Sequence, residues 1–359
     1  MCAESTASPN TKPRAGTRSA ERCSITESES DVPEGHTVHR LADAMEAAFG
    51  NSRVRLSSPQ GRFEAEAAEL DRWVLTRPEA VGKHLFLPFA PEPEEEPLRY
   101  IHIHLGLYGS WTFAGDASFH AAKAIGAPRR ALEGADGDWY SIVPGPNVRL
   151  RMIGTTGLAD LTGPNQCRAI DAAERQAVID RLGPDPLRGD ADPSEFVQRI
   201  KKSRQTIGQL LMDQKVAAGI GNIYRAELLF RARLDPYVPG NQLTEPLIRD
   251  LWRDLVPLME YGKRTGRIVT TQPEHRLVHN EINERTVPVY QNGDDDPDAV
   301  PREESFYVYH RQGFPCRVCD ATIRDADMAG RALYWCPGCQ KRRVRRAGWI
   351  DEHSARAWA

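Results

Sequence analysis

The sequence contains neither a long apolar run nor an apolar N-terminal core, and these absences exclude two classes of protein. No hydrophobic stretch approaches the roughly 20 residues that a membrane-spanning helix requires. The first 30 residues also lack the apolar segment of a secretory signal peptide. We therefore expect a protein of the cytoplasm, where cysteine thiols stay reduced.

An excess of positive charge is missing as well, because the formal net charge is −3 at pH 7. Such a total does not by itself indicate a nucleic-acid-binding protein. The charge is unevenly distributed, however, since residues 91–97 and 294–298 are acidic and residues 341–346 are strongly basic. Phosphate binding depends on a local basic surface, so composition leaves that function open. A single charge run is nevertheless more often solvated surface than a binding site.

Large apolar residues are scarce in residues 1–32, which are rich in Ser, Thr, Ala, Glu and Arg. Such a segment cannot bury enough surface to offset the entropy cost of ordering, so we expect a disordered leader. The chain of 359 residues as a whole has 40% hydrophobic and 27% charged residues. This composition is ordinary for a globular protein of two or three domains.

Apolar periodicity divides the chain beyond the leader and predicts an α+β fold. A helical repeat favours a helix over residues 36–49, and the alternation of apolar residues with histidine over 101–105 favours a half-buried strand. From residue 161 the period becomes helical. The predicted segments are an antiparallel sandwich or barrel over 33–160, a helical domain over 161–267, a connector over 268–304, a cysteine module over 305–343 and a tail over 344–359.

Four of the seven cysteines form the pattern C-x2-C-x16-C-x2-C. Two knuckles with this spacing present four thiolates to one zinc ion, and disulfides are the weaker explanation in a reducing compartment. A closed set of four thiolates leaves no open coordination position, so the metal would be structural. The predicted ligands of this single Zn²⁺ are Cys316, Cys319, Cys336 and Cys339.

A glycine-rich turn joins two predicted helices within residues 214–229. Gly219 and Gly221 permit a tight turn and close backbone approach, and Asn222 occupies a suitable N-cap position for the second helix. The exposed N–H groups of a helix start can bind phosphate. Helix–turn–helix packing with glycine is equally common in protein cores, so this stretch alone predicts DNA binding no more strongly than simple packing.

Five motifs occur in a fixed order along residues 33–343. They are "PEGHTVHRL" (33–41), "VGKHLFL" (81–87), "HLGLYGSW" (104–111), "AGIGNIYRAE" (218–227) and "GRALYWCPGCQ" (330–340). In these motifs and their order, the chain resembles the formamidopyrimidine-DNA glycosylase and endonuclease VIII family of base-excision repair enzymes. The resemblance implies an N-terminal β-sandwich with a leading helix, a helix–two-turn–helix domain and a C-terminal β-hairpin zinc finger.

The resemblance also implies an enzymatic function. The chain would be a bifunctional DNA glycosylase and abasic-site lyase that forms an iminium intermediate on an N-terminal proline. Pro33 would be the nucleophile and Glu34 its acid–base partner. Lys83 matches the functional lysine that the family carries in its sandwich domain.

Four further residues match the positions through which the family holds DNA. Leu107 and Tyr108 fall where side chains enter the void in the duplex. Asn222 and Arg331 match the two groups that grip backbone phosphates. We therefore expect a monomer that binds double-stranded DNA with an oxidised base or an abasic site, associates with the nucleoid and has no membrane partner.

The lesion that the chain prefers stays open. The motifs "LYGSW" and "RALYWCPGCQ" resemble the endonuclease VIII branch, which generally removes oxidised pyrimidines, more than the 8-oxoguanine branch. The long connector at 268–304 departs from a simple family pattern. Excision of 8-oxoguanine or formamidopyrimidine is therefore the alternative.

Pro33 lies inside the chain, and its nitrogen there is an amide without nucleophilicity. The preceding residue is Val32, and a GUG codon specifies valine internally but methionine when it initiates translation. We therefore expect that native translation starts at position 32, that the methionine is removed, and that residues 1–31 are not part of the native protein; proteolysis of the leader is a second route. A protein that retains the leader would instead be a zinc-finger DNA-binding protein without lyase activity.

Overall fold

Two antiparallel sheets and a leading helix make up the first half of the chain, and helices followed by a small hairpin make up the second half. The protein is seen in a computed structural model, and no helix in the part that the structure describes has the length and apolar character needed to cross a membrane. The predicted leader and tail lie outside the described residues. The structure describes residues 33–119, 124–126, 138–276 and 300–341.

The elements of the first half are two helices and eleven strands, and all strand pairs are antiparallel. The helices are Gly35–Phe49 (α1) and Glu64–Leu70 (α2). The strands are Ser52–Arg53 (β1), Arg55–Ser57 (β2), Val74–Leu75 (β3), Glu79–Val81 (β4), His84–Ala90 (β5), Arg99–His104 (β6), Ser110–Gly115 (β7), Ala124–Gly126 (β8), Val148–Ile153 (β9), Gly157–Thr162 (β10) and Gln166–Ile170 (β11).

These strands form the two layers of a β-sandwich. One sheet has the order β1-β3-β5-β6-β11, with β4 paired to β5, and the other has the order β2-β9-β10-β7-β8. Apolar residues from the inner faces of both sheets pack with Leu41 and Met45 of α1 in one buried core. Alternation along β6, where Ile101 and Ile103 face this core, confirms the expectation of a half-buried strand.

Helix α2 was not expected from the sequence, which favours strands throughout this region. Its sequence EAEAAEL consists of strong helix formers. Ala67 and Leu70 lie three residues apart, so both face the core and anchor the short helix. Seven residues are too few to show a convincing helical period in the sequence alone.

Five helices follow the sandwich in the region where the sequence predicts a helical domain. The first packs through Val178 against Phe86 and Ile170 of the sandwich. The other four pack around a second core that Tyr224, Leu251 and Leu255 help to form. Together with a short helix before the cysteines and the strands of the hairpin, the elements are Ala172–Ile179 (α3), Pro193–Lys201 (α4), Ile207–Leu210 (α5), Asn222–Arg231 (α6), Glu245–Thr265 (α7), Arg302–Ser305 (α8), Arg324–Met328 (β12) and Arg331–Trp335 (β13).

The α+β architecture of sandwich, helical domain and C-terminal hairpin confirms the predicted fold class. Tyr334 of the hairpin and Cys336, which directly follows it, are part of the second core. Gln340 also ties the finger to the helices, because its side-chain amide donates to the backbone oxygen of Leu234 at 3.0 Å. The finger is therefore packed onto the helical domain rather than held by its own short strands alone.

A buried carboxylate joins α6 to the beginning of the predicted connector and to the segment that follows the connector. Oε1 of Glu227 accepts from the backbone N–H groups of Val308 and Tyr309, each at 2.8 Å. Oε2 accepts from the N–H of Tyr307 at 2.8 Å and from the hydroxyl of Thr270. All four donors are satisfied inside the protein, so this carboxylate fixes the entry to the cysteine module.

We predict that Glu227→Gln lowers the free energy of unfolding by about 2–3 kcal/mol, because the new amide NH₂ faces donors and leaves at least one buried N–H unsatisfied. Equilibrium urea unfolding measures this change. Glu260, which is exposed on α7, provides the control: Glu260→Gln should alter stability by less than about 0.5 kcal/mol. Equal stability of the two variants would contradict the assignment.

Candidate active site

Pro33 and Glu34 directly precede α1, and Glu34 is fully buried. The carboxylate of Glu34 accepts hydrogen bonds from the backbone N–H groups of Gly221 at 2.9 Å, Ile223 at 2.8 Å and Tyr224 at 3.4 Å. These donors are the unpaired N–H groups at the start of α6, where the helix dipole also favours negative charge. Glu34 therefore caps a helix that is remote in sequence, since Ile223 lies 189 residues further along the chain.

This contact corrects two expectations about the glycine-rich turn. The N-cap of α6 is Gly221, and Asn222 is the first helical residue. The sequence suggested the N–H groups of the helix start as a phosphate site, but those of Gly221, Ile223 and Tyr224 donate to Glu34. The expected phosphate contact therefore depends on the side chain of Asn222.

Backbone segments from three parts of the chain meet at this point. The N–H of Gly35 donates to the oxygen of Gly219 at 2.8 Å. A Cβ atom at Gly35 would lie 2.7 Å from the Cα of Gly219, and one at Gly82 would lie 2.8 Å from the Cβ of Ala218. Gly82 and Gly219 also have φ angles of +59° and +91°, which glycine adopts without strain. Glycine is therefore required here for packing and for conformation.

Lys83 lies in the two-residue turn between β4 and β5, and a buried carboxylate holds that turn. Oδ2 of Asp185 accepts from the N–H of Gly82 at 2.6 Å and contacts Nε2 of His39 at 2.7 Å. Its Oδ1 accepts from the N–H of Leu187 at 2.9 Å. Since His39 belongs to α1, Asp185 links the helix that follows Pro33 and Glu34 directly to the turn that carries Lys83.

Glu34 and Lys83 interact electrostatically, and both are shifted toward their neutral forms. Burial raises the pKa of Glu34, against the opposing effects of Lys83 and of the three backbone donors. Burial lowers the pKa of Lys83. Glu34 opposes this shift, whereas the positive charge of Arg331 adds to it. Both shifts have the same physical cause, because burial disfavours the charged form of each group.

Arg225, which the sequence analysis did not single out, brings Asn222 and Arg331 together. Its buried guanidinium donates to the side-chain oxygen of Asn222 and to the backbone oxygen of Ala332, the latter at 2.8 Å. Burial lowers the pKa of Arg225 to about 10. One arginine thus fixes the start of α6 against the first residues of β13, while Arg331 itself stays exposed.

Leu107 and Tyr108 lie in the loop between β6 and β7 and are exposed by 38% and 65%. The loop follows His104, which is paired in register with His84, the neighbour of Lys83. Exposed large apolar side chains at a loop tip are available to a partner. The structure therefore places this loop on the same edge of the sandwich as Lys83.

The four predicted zinc ligands form one cluster, in which all the sulfur atoms lie within 4.8 Å of one another. Two of the sulfur–sulfur distances are 3.8 Å and 3.5 Å. A tetrahedral zinc site with Zn–S bonds of about 2.3 Å requires sulfur atoms about 3.8 Å apart, so the donors fit this ion. They form one structural zinc site at Cys316, Cys319, Cys336 and Cys339.

The fold thus gathers four of the residues predicted from the sequence into one region, namely Glu34, Lys83, Asn222 and Arg331. The residues that hold them, above all Asp185 and Arg225, were not predicted. No motif spacing marks these two, because each acts through backbone or side-chain partners that are distant along the chain. Burial of a charged residue is the signal that identifies them, and a single sequence does not show burial.

Two family models match the helical half of the chain. The formamidopyrimidine-DNA glycosylase H2TH domain matches residues 182–274. The zinc finger found in FPG and IleRS matches residues 313–342 and includes all four zinc ligands.

Similar proteins cover most of the sequence. Endonuclease 8 1 of Mycobacterium bovis is 44% identical over 309 residues, which are 86% of this chain and 100% of the relative. A formamidopyrimidine-DNA glycosylase of Thermus thermophilus is 34% identical over 162 residues, 45% of this chain and 54% of that protein. Among solved structures, Lactococcus lactis Fpg in complex with DNA containing an abasic site has a TM-score of 0.61 at 21% identity, covering 86% of this chain and all of that one.

The motifs, the fold, the zinc site and a full-length relative at 44% identity agree. The chain belongs to the formamidopyrimidine-DNA glycosylase and endonuclease VIII family, whose members are DNA glycosylases and abasic-site lyases of base-excision repair.

Proposed function

We propose that this chain removes oxidised bases, mainly pyrimidines, from double-stranded DNA and then cuts the strand through an iminium formed on the amine of Pro33. The contact that supports this most directly is the capping of α6 by Glu34. That contact fixes the residue next to Pro33 between Lys83 and the phosphate-binding candidates Asn222 and Arg331.

A terminal proline is chemically suited to both steps. Its nitrogen attacks the anomeric carbon of the sugar and loses its proton, and the base leaves with the electrons of the glycosidic bond. The bond from the anomeric carbon to the ring oxygen also breaks as that oxygen takes a proton, and the nitrogen lone pair forms the iminium. The iminium withdraws electrons, so a proton on the adjacent sugar carbon becomes acidic and the 3′ phosphate leaves by elimination. A terminal amine has a pKa of about 8 against about 10.4 for lysine, so a larger fraction is unprotonated near neutrality.

The surrounding residues have distinct roles in this proposal. Glu34, with its raised pKa, would protonate the opening sugar oxygen and later move protons on the intermediate. Lys83, Asn222 and Arg331 would hold phosphates on either side of the lesion. An extruded base leaves a gap in the stack, and Leu107 and Tyr108 would fill it.

The mechanism requires a chain that begins at Pro33, because an amide nitrogen cannot form the iminium. We therefore propose that the active form starts there, either by initiation at the codon of residue 32 and removal of methionine or by proteolysis. A DNA repair enzyme acts on the chromosome, so we infer that the protein works in the cytoplasm at the nucleoid, as a monomer.

Borohydride trapping tests the nucleophile. We predict that the form beginning at Pro33 gives a covalent adduct with duplexes carrying thymine glycol, dihydrouracil or an abasic site, and a weaker one with 8-oxoguanine. Mass spectrometry of the adduct should place the DNA on residue 33. Pro33→Gly, which keeps a terminal amine, is expected to retain part of the reaction.

Three outcomes would change the proposal. A competent enzyme whose only N-terminus is Met1 or Cys2 would exclude Pro33 as the nucleophile. Binding without any adduct would favour a zinc-finger DNA-binding protein without lyase activity. Stronger reaction with 8-oxoguanine than with the pyrimidine lesions would favour the alternative specificity, to which the partial match with the Thermus glycosylase also points.

The raised pKa of Glu34 predicts a pH dependence. Because the acid form would donate the proton, base release should slow as pH rises through that pKa. Glu34→Gln should lose this dependence and release base at least about 100-fold more slowly, as single-turnover assays with thymine glycol measure. Circular dichroism checks folding, Glu34→Asp is the variant that keeps a carboxyl group, and base release by Glu34→Gln at the unchanged rate would remove Glu34 from this role.

Asp185 should affect the reaction through Lys83. Asp185→Asn places an amide against the N–H of Gly82 or against His39, so we expect trapping at an abasic site to slow about tenfold. Since the effect passes through Lys83, it should be much smaller in a Lys83→Ala background. Asp180→Asn, at an exposed position on the end of α3, serves as the control; fully additive effects of the two mutations would contradict the link.

A further inference from the structure

Three histidines lie on the outer face of the sandwich, next to Lys83. His84 begins β5, while His102 and His104 end β6, and His84 is paired in register with His104. The ring centroids of His84 lie 5.1 Å from those of both other histidines. His102 is buried, whereas His84 and His104 are half-buried at the surface.

Hydrogen bonds set the direction in which these rings donate. The side-chain nitrogen of Gln166 lies 2.8 Å from Nδ1 of His102, and an amide NH₂ only donates. Neutral His102 therefore carries its proton on Nε2, which lies 2.9 Å from Nδ1 of His84. His84 then carries its own proton on Nε2. The chain Gln166–His102–His84 thus ends in a donor at the partly exposed ring.

A separate hydrogen bond places the proton of His104 on Nε2 as well. Its Nδ1 accepts from the N–H of Gly106 at 3.1 Å, so the proton of the neutral ring lies on Nε2. Burial lowers the pKa of His84 to about 4, with His104, Arg181 and Lys83 lowering it further. Burial and Lys83 also lower the pKa of His104, so both surface rings are neutral donors at pH 7.

The charged groups that act on this cluster all have the same sign. Lys83 and Arg181 act on His84, and Arg168 and Arg181 act on His102, whose pKa burial lowers to about 3. Arg181 is exposed in the turn that follows α3. Two fixed imidazole donors and neighbouring cations provide a setting for an anion rather than for a cation. Among the described residues, only the four cysteines form a group that could hold a metal ion.

We propose that His84 and Arg181 bind a phosphodiester of the DNA backbone beside Lys83, with His102 and Gln166 orienting the ring of His84. This contact would extend the DNA-binding surface from the catalytic edge across the outer face of the sandwich. It rests on the proposed function, since DNA is the anion that the neighbouring catalytic residues require. A guanidinium and imidazole N–H groups are both suitable donors to phosphate oxygens.

Binding to a duplex with a tetrahydrofuran abasic analogue tests the site, in the form of the chain that gives the trapped adduct. Arg181→Gln should weaken binding about tenfold at low salt and reduce the slope of log K against log salt by about 0.9, the value for one neutralised phosphate. His84→Phe keeps the ring but removes the donor, so it should weaken binding about tenfold without changing the slope. Arg181→Lys should restore the slope.

Arg72→Gln is the matched control, because Arg72 is an exposed arginine before β3, toward the opposite edge of the same sheet. It should leave both affinity and slope unchanged. Unchanged affinity and slope in both Arg181→Gln and His84→Phe would overturn the phosphate site, provided that the wild-type chain still gives the trapped adduct. Absence of that adduct in the wild type would instead overturn the proposed function. Arg181 is exposed, so its variant is informative even where His84→Phe fails to fold.

Discussion

The capping of α6 by the buried carboxylate of Glu34 is the interaction on which the rest of the site depends. It joins the beginning of the sandwich domain to the helical domain through three backbone N–H groups. Without it, the helix start and a buried charge would both be left unsatisfied, each at a cost of several kcal/mol. The same contact fixes the residue beside the proposed nucleophile, so one carboxylate serves the fold and positions the chemistry.

Around this contact, buried charged residues form hydrogen bonds that join segments remote in sequence. Asp185 holds the turn of Lys83, Arg225 holds β13 against α6, and Glu227 holds the entry to the cysteine module. Each makes hydrogen bonds inside the protein, which offset part of the high cost of burying a charge. The exposed groups proposed to contact DNA, such as Arg331, are thus carried on a rigid support.

The sequence allowed the fold class, the zinc ligands and most helices to be predicted, because these depend on local spacing. The period of α7 and the two cysteine knuckles are examples. The sequence could not predict the contacts of Asp185 or of Glu34, because their partners are remote along the chain. The amide of Gly82 lies 103 residues from Asp185, and the amide of Gly221 lies 187 residues from Glu34. Helix α2 was missed because a short helix shows too little periodicity. The candidate residues came largely from the family resemblance, and their arrangement came only from the fold.

At Gly35, Gly82 and Gly219 three main-chain segments approach so closely that an added Cβ atom would be crowded by a neighbouring segment. The spacing between the segment of the proposed nucleophile and the turn of Lys83 is therefore set by the backbone itself, which has fewer conformational degrees of freedom than a long side chain. The proposed reaction therefore needs no closing movement of these segments against one another, and a base stacked inside the duplex has to leave the stack to reach them.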